Sequence, residues 1–416
     1  MPKRLAGFDL PLVASVLALL AGSIYVLMTA IPSATGHGLT QFYGQRQIVF
    51  VVVGLALGVA ASRVPLSGIE RLWLPVYLGT LGSIAIVFVL GTAIRGSKRW
   101  IMLGPINLQP SEAGKILIVL AAAGFITSRM RDARSPLTFV GILAFIGLPA
   151  ALVYLQPDFG TSQVYGYVAL GMLFFAGAKW LHFTVLASSF VVLLIIVLGL
   201  LPAVGIQVMK DYQVQRFTGF LDPEADPRGT NYQAIQAKKA IGSGQLTGKP
   251  ASEASQVSLG FLPEPQTDFI FATLSERYGF MGAIMVLALY ILLISRCLRA
   301  VAVAPTYYGR LVCGGVTIMF AAQVITNIGM VIGLLPITGV PLPLFSYGGS
   351  AMFANLVAVG FVAGVLRESE SPQVRYARRV GPTLARARTS HRTQQGSVRG
   401  RFDAPRSRSR RNRSRV

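Results

Sequence analysis

The sequence predicts an all-α polytopic membrane protein, and three observations support this prediction. Of the 416 residues, 53% are hydrophobic and only 13% are charged, a composition too apolar for a soluble chain of this length. Apolar windows of about 17–25 residues recur along the chain, and this is the length that an α-helix needs to cross a bilayer. The windows are too long for the strands of a membrane β-barrel and lack their strict alternation.

About ten such windows occur, and each is predicted to be one transmembrane helix. The first follows Lys3 and Arg4 but is too long for the apolar region of a signal peptide, so we expect it to be retained. A long outer loop at 207–267 separates the seventh and eighth helices, and its mixed composition favours an ordered lid. The predicted helices are 10–31, 46–62, 72–94, 112–128, 135–155, 159–177, 180–206, 268–298, 306–335 and 347–366.

The positive charge is concentrated at the C-terminal end of the chain. Residues 367–416 contain 15 Arg and three acidic residues, within a formal net charge of +22 for the whole chain. We therefore divide the chain into a membrane domain at 1–366 and a disordered, Arg-rich cytoplasmic tail at 367–416. Anionic lipid headgroups are favoured over nucleic acid as the partner of this tail.

The distribution of basic residues also predicts the orientation in the membrane. With ten helices and a cytoplasmic N-terminus, both termini lie inside, and 26 of the 38 basic residues fall on the inner side. This agrees with the positive-inside rule. Three basic residues within 95–99 fall on the outer side against the rule, which points to an anionic ligand there.

Five polar motifs lie at the outer ends of the predicted helices. Polar groups that converge on one face of a membrane bundle usually serve a substrate at that face. The motifs are RGSKRW (95–100), LQPSEAGK (108–115), LQPDFGTS (155–162), PEPQTDFI (263–270) and PLPLFSYGGS (341–350).

The segment from Asn327 to Ala351, NIGMVIGLLPITGVPLPLFSYGGSA, strongly resembles the signature of the SEDS family (RodA, FtsW and SpoVE). The motifs KRW, QPSE-x-x-K, QPD-x-GTS, YQxxR before FLDP, and PExxTDFIF agree with the family in order and spacing. The resemblance covers about residues 8–367, and TGVPLP is more like RodA than FtsW. Two residues depart from the family pattern. Gln266 replaces the usual His, which argues against a proton role at that position, and Ala351 replaces a common Ser.

The resemblance implies a function, a location and partners. Proteins of this family join the disaccharide units of lipid II into peptidoglycan glycan strands at the outer face of the bacterial cytoplasmic membrane. They act with a class B penicillin-binding protein, and the RodA type serves cell elongation. The implied enzyme is an inverting peptidoglycan glycosyltransferase within the elongation machinery.

Asp268 is the candidate general base. It lies where the long outer loop re-enters the membrane, directly before FIFATL, and partial desolvation there is expected to raise its pKa. Position alone favours this role and an ordinary helix cap about equally. The resemblance favours catalysis, because the matching residue is the family's essential acidic residue.

Basic residues are the candidates for binding the pyrophosphate of the substrate. Lys98 and Arg99 fit this role, although with Trp100 they also fit simple anchoring at headgroup depth. Lys115 lies one turn inside a helix and three residues from Glu112, so the sequence predicts an ion pair within the membrane. Such residues are more often part of a site than purely structural.

The remaining candidate substrate-binding residues are polar residues of the same outer motifs. For Asp158 helix capping is the alternative role, and for the loop charges Arg216 and Glu264 it is simple solvation. No cofactor is certain, although a Mg²⁺ or Mn²⁺ ion could be bound by Asp268 or Glu264. The five residues are Ser111, Asp158, Arg216, Glu264 and Ser346.

Two other functions fit parts of the pattern. A flippase or transporter for the lipid-linked precursor would suit ten helices with intramembrane charges, but the chain has no convincing internal repeat. A non-catalytic scaffold for a penicillin-binding protein would leave the outer cluster of acidic and basic residues unexplained.

Overall fold

The computed structural model describes residues 9–30, 39–94, 97–103, 106–129, 135–203, 232–250 and 253–371. Most of these residues are helical. The helices are α1 (Leu10–Thr29), α2 (Leu39–Arg63), α3 (Leu66–Arg71), α4 (Trp73–Ala85), α5 (Val87–Leu90), α6 (Pro110–Arg129), α7 (Pro136–Leu155), α8 (Phe159–Ala176), α9 (Trp180–Ile195), α10 (Leu201–Ala203), α11 (Tyr232–Gly244), α12 (Ser255–Ser258), α13 (Ile270–Val303), α14 (Tyr307–Ile332) and α15 (Gly349–Ser369).

The predicted fold class is confirmed: the chain is an all-α polytopic membrane protein. In the described part of the chain, eight segments are long and apolar enough to cross a membrane, and α4 and α5 together form one of them. Helix α8 lies where a span is predicted but is not among the eight. Helix α9 is shorter and continues through a π-helical turn at Ile196–Leu200 into α10. The count of ten spans stays a prediction.

A small antiparallel sheet between α5 and α6 was not predicted. Its strands are β1 (Thr92–Ile94), β2 (Ser97–Leu103) and β3 (Ile106–Leu108), in the order β1-β2-β3. The third predicted helix, 72–94, therefore ends too late, because the chain leaves helix at Leu90 and enters β1. The central strand, β2, carries the SKRW part (97–100) of the RGSKRW motif.

Helix α13 is interrupted at Gly279, which has φ +62° and ψ −161°. The two residues after the break donate main-chain hydrogen bonds to the carbonyls of Gln245 (2.8 Å) and Leu246 (3.1 Å), just beyond α11. A Cβ at Gly279 would lie 2.4 Å from Gly248 N, so this crossing requires glycine. The predicted single helix 268–298 is thus a short buried segment, 270–278, followed by a longer one.

Helices α6 and α14 are the most deeply buried of the membrane-length helices. Glycines let neighbouring helices approach α14 closely: a Cβ at Gly314 would meet Phe175 of α8 at 2.4 Å, and one at Gly315 would meet Val119 of α6 at 2.6 Å. Small residues at such crossings are the usual means of packing helices in a membrane. This packing brings the N-terminal ends of α6 and α8 alongside the C-terminal half of α14.

Candidate active site

Asp158 lies at the N-terminus of α8 and joins three elements. Its Oδ1 accepts a hydrogen bond from Thr161 N (3.2 Å), so the predicted helix cap is present. Its Oδ2 accepts from Gln109 Nε2 (2.8 Å) and Ser111 Oγ (3.4 Å), at the start of α6. Arg99 Nη1 of β2 lies 3.5 Å from Oδ1. Capping and site membership are therefore not exclusive for this carboxylate.

The predicted ion pair between Glu112 and Lys115 is present and almost fully buried. Lys115 Nζ lies 2.7 Å from Glu112 Oε2, and the two residues are 1% and 3% exposed. Lys115 also donates a hydrogen bond to Gln323 Oε1 of α14 (3.1 Å). Buried charges are expensive unless they are paired and hydrogen-bonded. The ion pair neutralises both charges, and the hydrogen bond to Gln323 gives the Lys115 ammonium a second partner.

The three residues of the KRW motif lie along β2 and differ in exposure. Lys98 is exposed, and Arg99 and Trp100 are half-buried. The carbonyl of Trp100 accepts a hydrogen bond from Thr92 Oγ1 (3.2 Å), which joins β2 to β1. Of these three side chains, that of Arg99 contacts Asp158.

Asp268 is half-buried and precedes the first turn of α13, with Phe269 as the N-cap residue. Its carbonyl accepts a hydrogen bond of 2.8 Å from Asn327 Nδ2 of α14. A Cβ added at Gly339 would lie 3.4 Å from Asp268 Oδ2, so the carboxylate lies directly over this glycine. The segment Thr338–Val340 thus forms one wall beside the candidate base.

Ser346 is buried and fully used within the protein. Its hydroxyl donates to the carbonyl of Thr267 (2.7 Å) and accepts from Leu342 N (2.8 Å). Nearby, Tyr347 N donates to the carbonyl of Gln266 (2.9 Å). The SYGG segment therefore holds the main chain that leads into Asp268.

Glu264 lies four residues before Asp268, at a positive φ of +48°. Its Oε2 accepts hydrogen bonds from Gln266 Nε2 (3.3 Å) and Thr267 Oγ1 (3.4 Å). These contacts tighten the turn that presents Asp268. Arg216, the other candidate in the long loop, lies outside the described residues.

These groups belong to one site because α14 joins them. Gln323 binds Lys115, and Asn327, one turn further along α14, binds the main chain of Asp268. Four residues of helix rise about 6 Å, so the ion pair and the candidate base are neighbours. On the other side, a Cβ at Gly160 would lie 2.5 Å from the carbonyl of Thr338, which brings the first turn of α8 against the wall of Asp268.

Gln323 and Asn327 were not predicted to belong to the site, although each is a polar residue within an apolar helix. Both side chains are 0% exposed, and polar residues inside a membrane helix are a recognised signal of function. Gln109 was likewise missed as an individual residue, although it lies within the LQPSEAGK motif.

Glu276 and Arg277, adjacent charged residues within the apolar sequence of α13, bind different groups. Glu276 is 0% exposed and accepts hydrogen bonds from Gln256 N (3.0 Å) and Val257 N (3.1 Å), the second and third residues of α12. Arg277 donates to the carbonyl of Lys249 (2.8 Å). Both residues tie the end of the long loop to α13.

An apolar groove of about 460 Å³ runs along α14 beside this site. It is lined by α8, α9 and the face of α14 that carries Ile318, Ala322 and Thr326. Ala322 and Thr326 precede Gln323 and Asn327 by one residue each, so the groove and the polar site lie on adjacent faces of α14. Within the described residues, no group of three or more His, Cys, Asp or Glu side chains is placed to hold a metal ion.

The family model for FtsW, RodA and SpoVE, described as a cell cycle protein, matches residues 10–371. The chain belongs to this family. It is 41% identical over 353 residues to the peptidoglycan glycosyltransferase MrdB of Escherichia coli strain K12, covering 84% of this chain and 90% of that protein.

Solved structures of family members agree with this membership. One is a chain of a peptidoglycan synthase complex, described for its structural coordination of polymerization and crosslinking. It is 32% identical with a TM-score of 0.72, covering 87% of this chain and 98% of that one. The rod shape determining protein RodA of Thermus thermophilus is 28% identical with a TM-score of 0.63, covering 88% and 99%.

Proposed function

We propose that this chain polymerises lipid II into glycan strands at the outer face of the cytoplasmic membrane, with Asp268 as general base. Its family and its relatives make the chain a peptidoglycan glycosyltransferase of cell elongation. The substrate, the face of the membrane and the roles of individual residues are the proposed parts.

One observation carries this assignment more than any other. Along one turn of α14, Gln323 binds the buried cation Lys115 and Asn327 binds the main chain of Asp268. Glycosyl transfer from a lipid pyrophosphate needs a base near the acceptor hydroxyl and positive charge near the leaving group. The side chains of this site supply both within a short distance.

In the proposed reaction, a hydroxyl oxygen of the acceptor sugar attacks the anomeric carbon of the donor. Asp268 takes the hydroxyl proton, and the bond from the anomeric carbon to the pyrophosphate oxygen breaks. The pyrophosphate leaves with the electron pair, and Arg99 and Lys115 stabilise its charge. Attack from the side opposite the leaving group inverts the anomeric centre.

The apolar groove beside α14 supports a lipid-linked substrate. Its wall of Leu170, Phe174 and Ile325 suits an isoprenoid tail, while the polar site adjoining it suits sugars and phosphate. Ser111, Glu112, Asp158, Glu264 and Ser346 shape this site, and Lys98 and Trp100 border it. A divalent cation held by Asp268 or Glu264 remains part of the proposal.

We also propose a location and partners for the protein. Both termini lie in the cytoplasm, and the likeness to a chain of a peptidoglycan synthase complex supports a class B penicillin-binding protein as partner. Membrane lipids and the elongation machinery complete the expected surroundings, and we expect no nucleic acid.

The decisive experiment incubates purified protein with labelled lipid II and scores glycan polymer on a gel. Wild-type protein is expected to form polymer, and Asp268→Asn and Asp268→Ala to form none while remaining folded and inserted. Asp9→Asn makes the same chemical change at the N-cap of α1, where Asp9 binds Arg296 far along α13. This variant is expected to stay active. Near-normal polymer from Asp268→Asn would remove Asp268 from the mechanism. Movement of lipid II across liposomes without polymerisation would favour the flippase alternative.

A further inference from the structure

We propose that Asn327 is a positioning residue for glycosyl transfer, and this inference rests on the proposed role of Asp268. One side-chain amide holds together the two main-chain segments between which the Asp268 carboxylate lies.

The amide of Asn327 directs its nitrogen to two carbonyls. Asn327 Nδ2 lies 2.8 Å from the carbonyl oxygen of Asp268 and 2.8 Å from that of Val340. Both hydrogens of the NH₂ group are thereby used, and the two acceptors fix which end of the amide is the nitrogen. A single residue of α14 thus joins the entrance of α13 to the TGVPLP segment.

The second segment also touches the reacting end of Asp268. Gly339 precedes Val340 and has φ +73°, and a Cβ there would lie 3.4 Å from Asp268 Oδ2. Because Asn327 fixes Val340 and the main chain of Asp268 at once, it sets the distance between the carboxylate and this wall. Loss of the amide would free both segments together.

The surroundings explain why the amide donors matter more than the acceptor. Asn327 is 0% exposed, and its Oδ1 has no hydrogen-bond partner among the described residues, although such buried atoms are usually paired. The role of Asn327 is therefore to donate two hydrogen bonds to two main-chain carbonyls.

A small shift of a reacting group is costly for an enzyme. Misplacement of a reacting group by about 1 Å can lower turnover by roughly a hundredfold. We therefore expect Asn327→Ala to lower kcat roughly tenfold or more, with KM for lipid II within about twofold of wild type. Asn327→Ser retains one donor and is expected to fall between wild type and Asn327→Ala.

The matched control is Tyr308→Phe on the same helix. The Tyr308 hydroxyl is also buried and donates to a main-chain carbonyl, that of Leu120 (3.2 Å). It lies nineteen residues from Asn327, about 28 Å along α14. We expect Tyr308→Phe to lower the melting temperature at least as much as Asn327→Ser while keeping kcat within twofold.

The pH profile of kcat separates positioning from simple instability. Partial unfolding lowers kcat by the same factor at every pH. A displaced base has changed surroundings and therefore a changed pKa, which shifts the acidic limb of the pH profile. We expect a shifted limb for Asn327→Ala and Asn327→Ser and an unshifted one for Tyr308→Phe. Unshifted profiles in both Asn327 variants, or kcat within twofold of wild type, would overturn the inference.

Asp268→Asn in the same assay keeps the two hypotheses apart. If Asp268→Asn is inactive while the Asn327 variants behave as Tyr308→Phe, the positioning role alone fails. If Asp268→Asn polymerises normally, the proposed base itself fails.

Discussion

Two ionic clusters lie towards opposite ends of α13, and they differ in how completely their charges are satisfied. At one end, Asp9 caps α1 through Leu12 N (3.1 Å), is bound twice by Arg296, and lies 3.6 Å from Arg299. We call these groups the Asp9 cluster. Each carboxylate oxygen of Asp9 has at least two partners, so the cluster works as a closed clamp between α1 and α13.

The cluster near Asp268 is less complete. Arg99 Nε and Glu112 Oε2 are buried without an aligned hydrogen bond to any described group, although Glu112 Oε2 lies 2.7 Å from Lys115 Nζ. The contact between Arg99 and Asp158 is long, at 3.5 Å. We call these four residues the open cluster. The Asp9 cluster, whose oxygens are all bound, fixes helix ends, whereas Arg99 in the open cluster keeps an unused N–H donor that suits an anionic ligand.

Lys115 tests this comparison with the largest expected effect. Lys115→Met leaves Glu112 buried without its cation, which is expected to cost about 3–5 kcal/mol of stability and to abolish polymerisation. The double variant Lys115→Met with Glu112→Gln removes both charges and is expected to recover most of the melting temperature. If the double variant also recovered polymerisation, Lys115 would be structural, and the open cluster would lose its cation for pyrophosphate.

Arg99 and Arg299 give a matched test of smaller size. Each places Nη1 about equally far from an aspartate, 3.5 Å from Asp158 and 3.6 Å from Asp9, and each is partly exposed. We expect Arg99→Ala to lower kcat/KM by roughly 10- to 100-fold, because a hydrogen bond to a charged group contributes about 1.5–3 kcal/mol. Arg299→Ala is expected to stay within about twofold. Equal losses in the two variants would remove the distinction between the clusters.

The sequence predicts the open cluster better than the contacts that join it to Asp268. Glu112 and Lys115 are three residues apart on one helix, so their pairing follows from helical geometry. Asp158 follows a proline at a predicted helix start, so its cap was foreseeable. Asn327 and Asp268 are 59 residues apart, and only tertiary packing brings them together.

The elements that sequence analysis missed have the same cause. The strands of the small sheet are three to seven residues long, and their apolar residues extend the preceding helical pattern. A glycine such as Gly279 costs a helix only about 1 kcal/mol, so it does not by itself predict a break. The break exists because the carbonyls of Gln245 and Leu246, distant in sequence, accept the displaced hydrogen bonds.

The Asp9 cluster is expected to affect the stability of the fold but not the rate of polymerisation. Burial would raise the pKa of Asp9, but the hydrogen bond from Arg296, that from Leu12 N, and the charges of both arginines lower it overall. A lowered pKa in the folded state means that the ionised carboxylate stabilises the fold above the unfolded pKa, near 3.8. This contribution is lost as pH falls through the lower, folded-state pKa.

Asp9→Asn is therefore expected to lower the melting temperature by several degrees at pH 7 and by much less at pH 3, with kcat for polymer formation unchanged. Thermal unfolding of wild type and variant in the same detergent at the two pH values measures this. A stability difference that stayed constant, or grew, towards low pH would show that the clamp does not act through the ionised carboxylate.

The smallest effect is expected from deleting residues 372–416. These residues carry no family motif, and the chain reaches them through α15, whose Ser350 bonds to Asn107 O near the open cluster. Arg367, which donates to the carbonyl of Ser62, lies about 26 Å further along α15. Polymerisation in detergent should therefore be nearly unchanged by the truncation.

The dense positive charge of the deleted segment is instead expected to act on anionic bilayers, an attraction that salt weakens. Full-length and truncated proteins are compared in detergent and in anionic liposomes, at low and high salt. The truncated protein should lose activity or retention only in the liposomes at low salt. If truncation removed activity in detergent while the melting temperature was preserved, charges beyond the two clusters would take part in catalysis. The contrast between the Asp9 cluster and the open cluster would then not be enough to locate the catalytic groups.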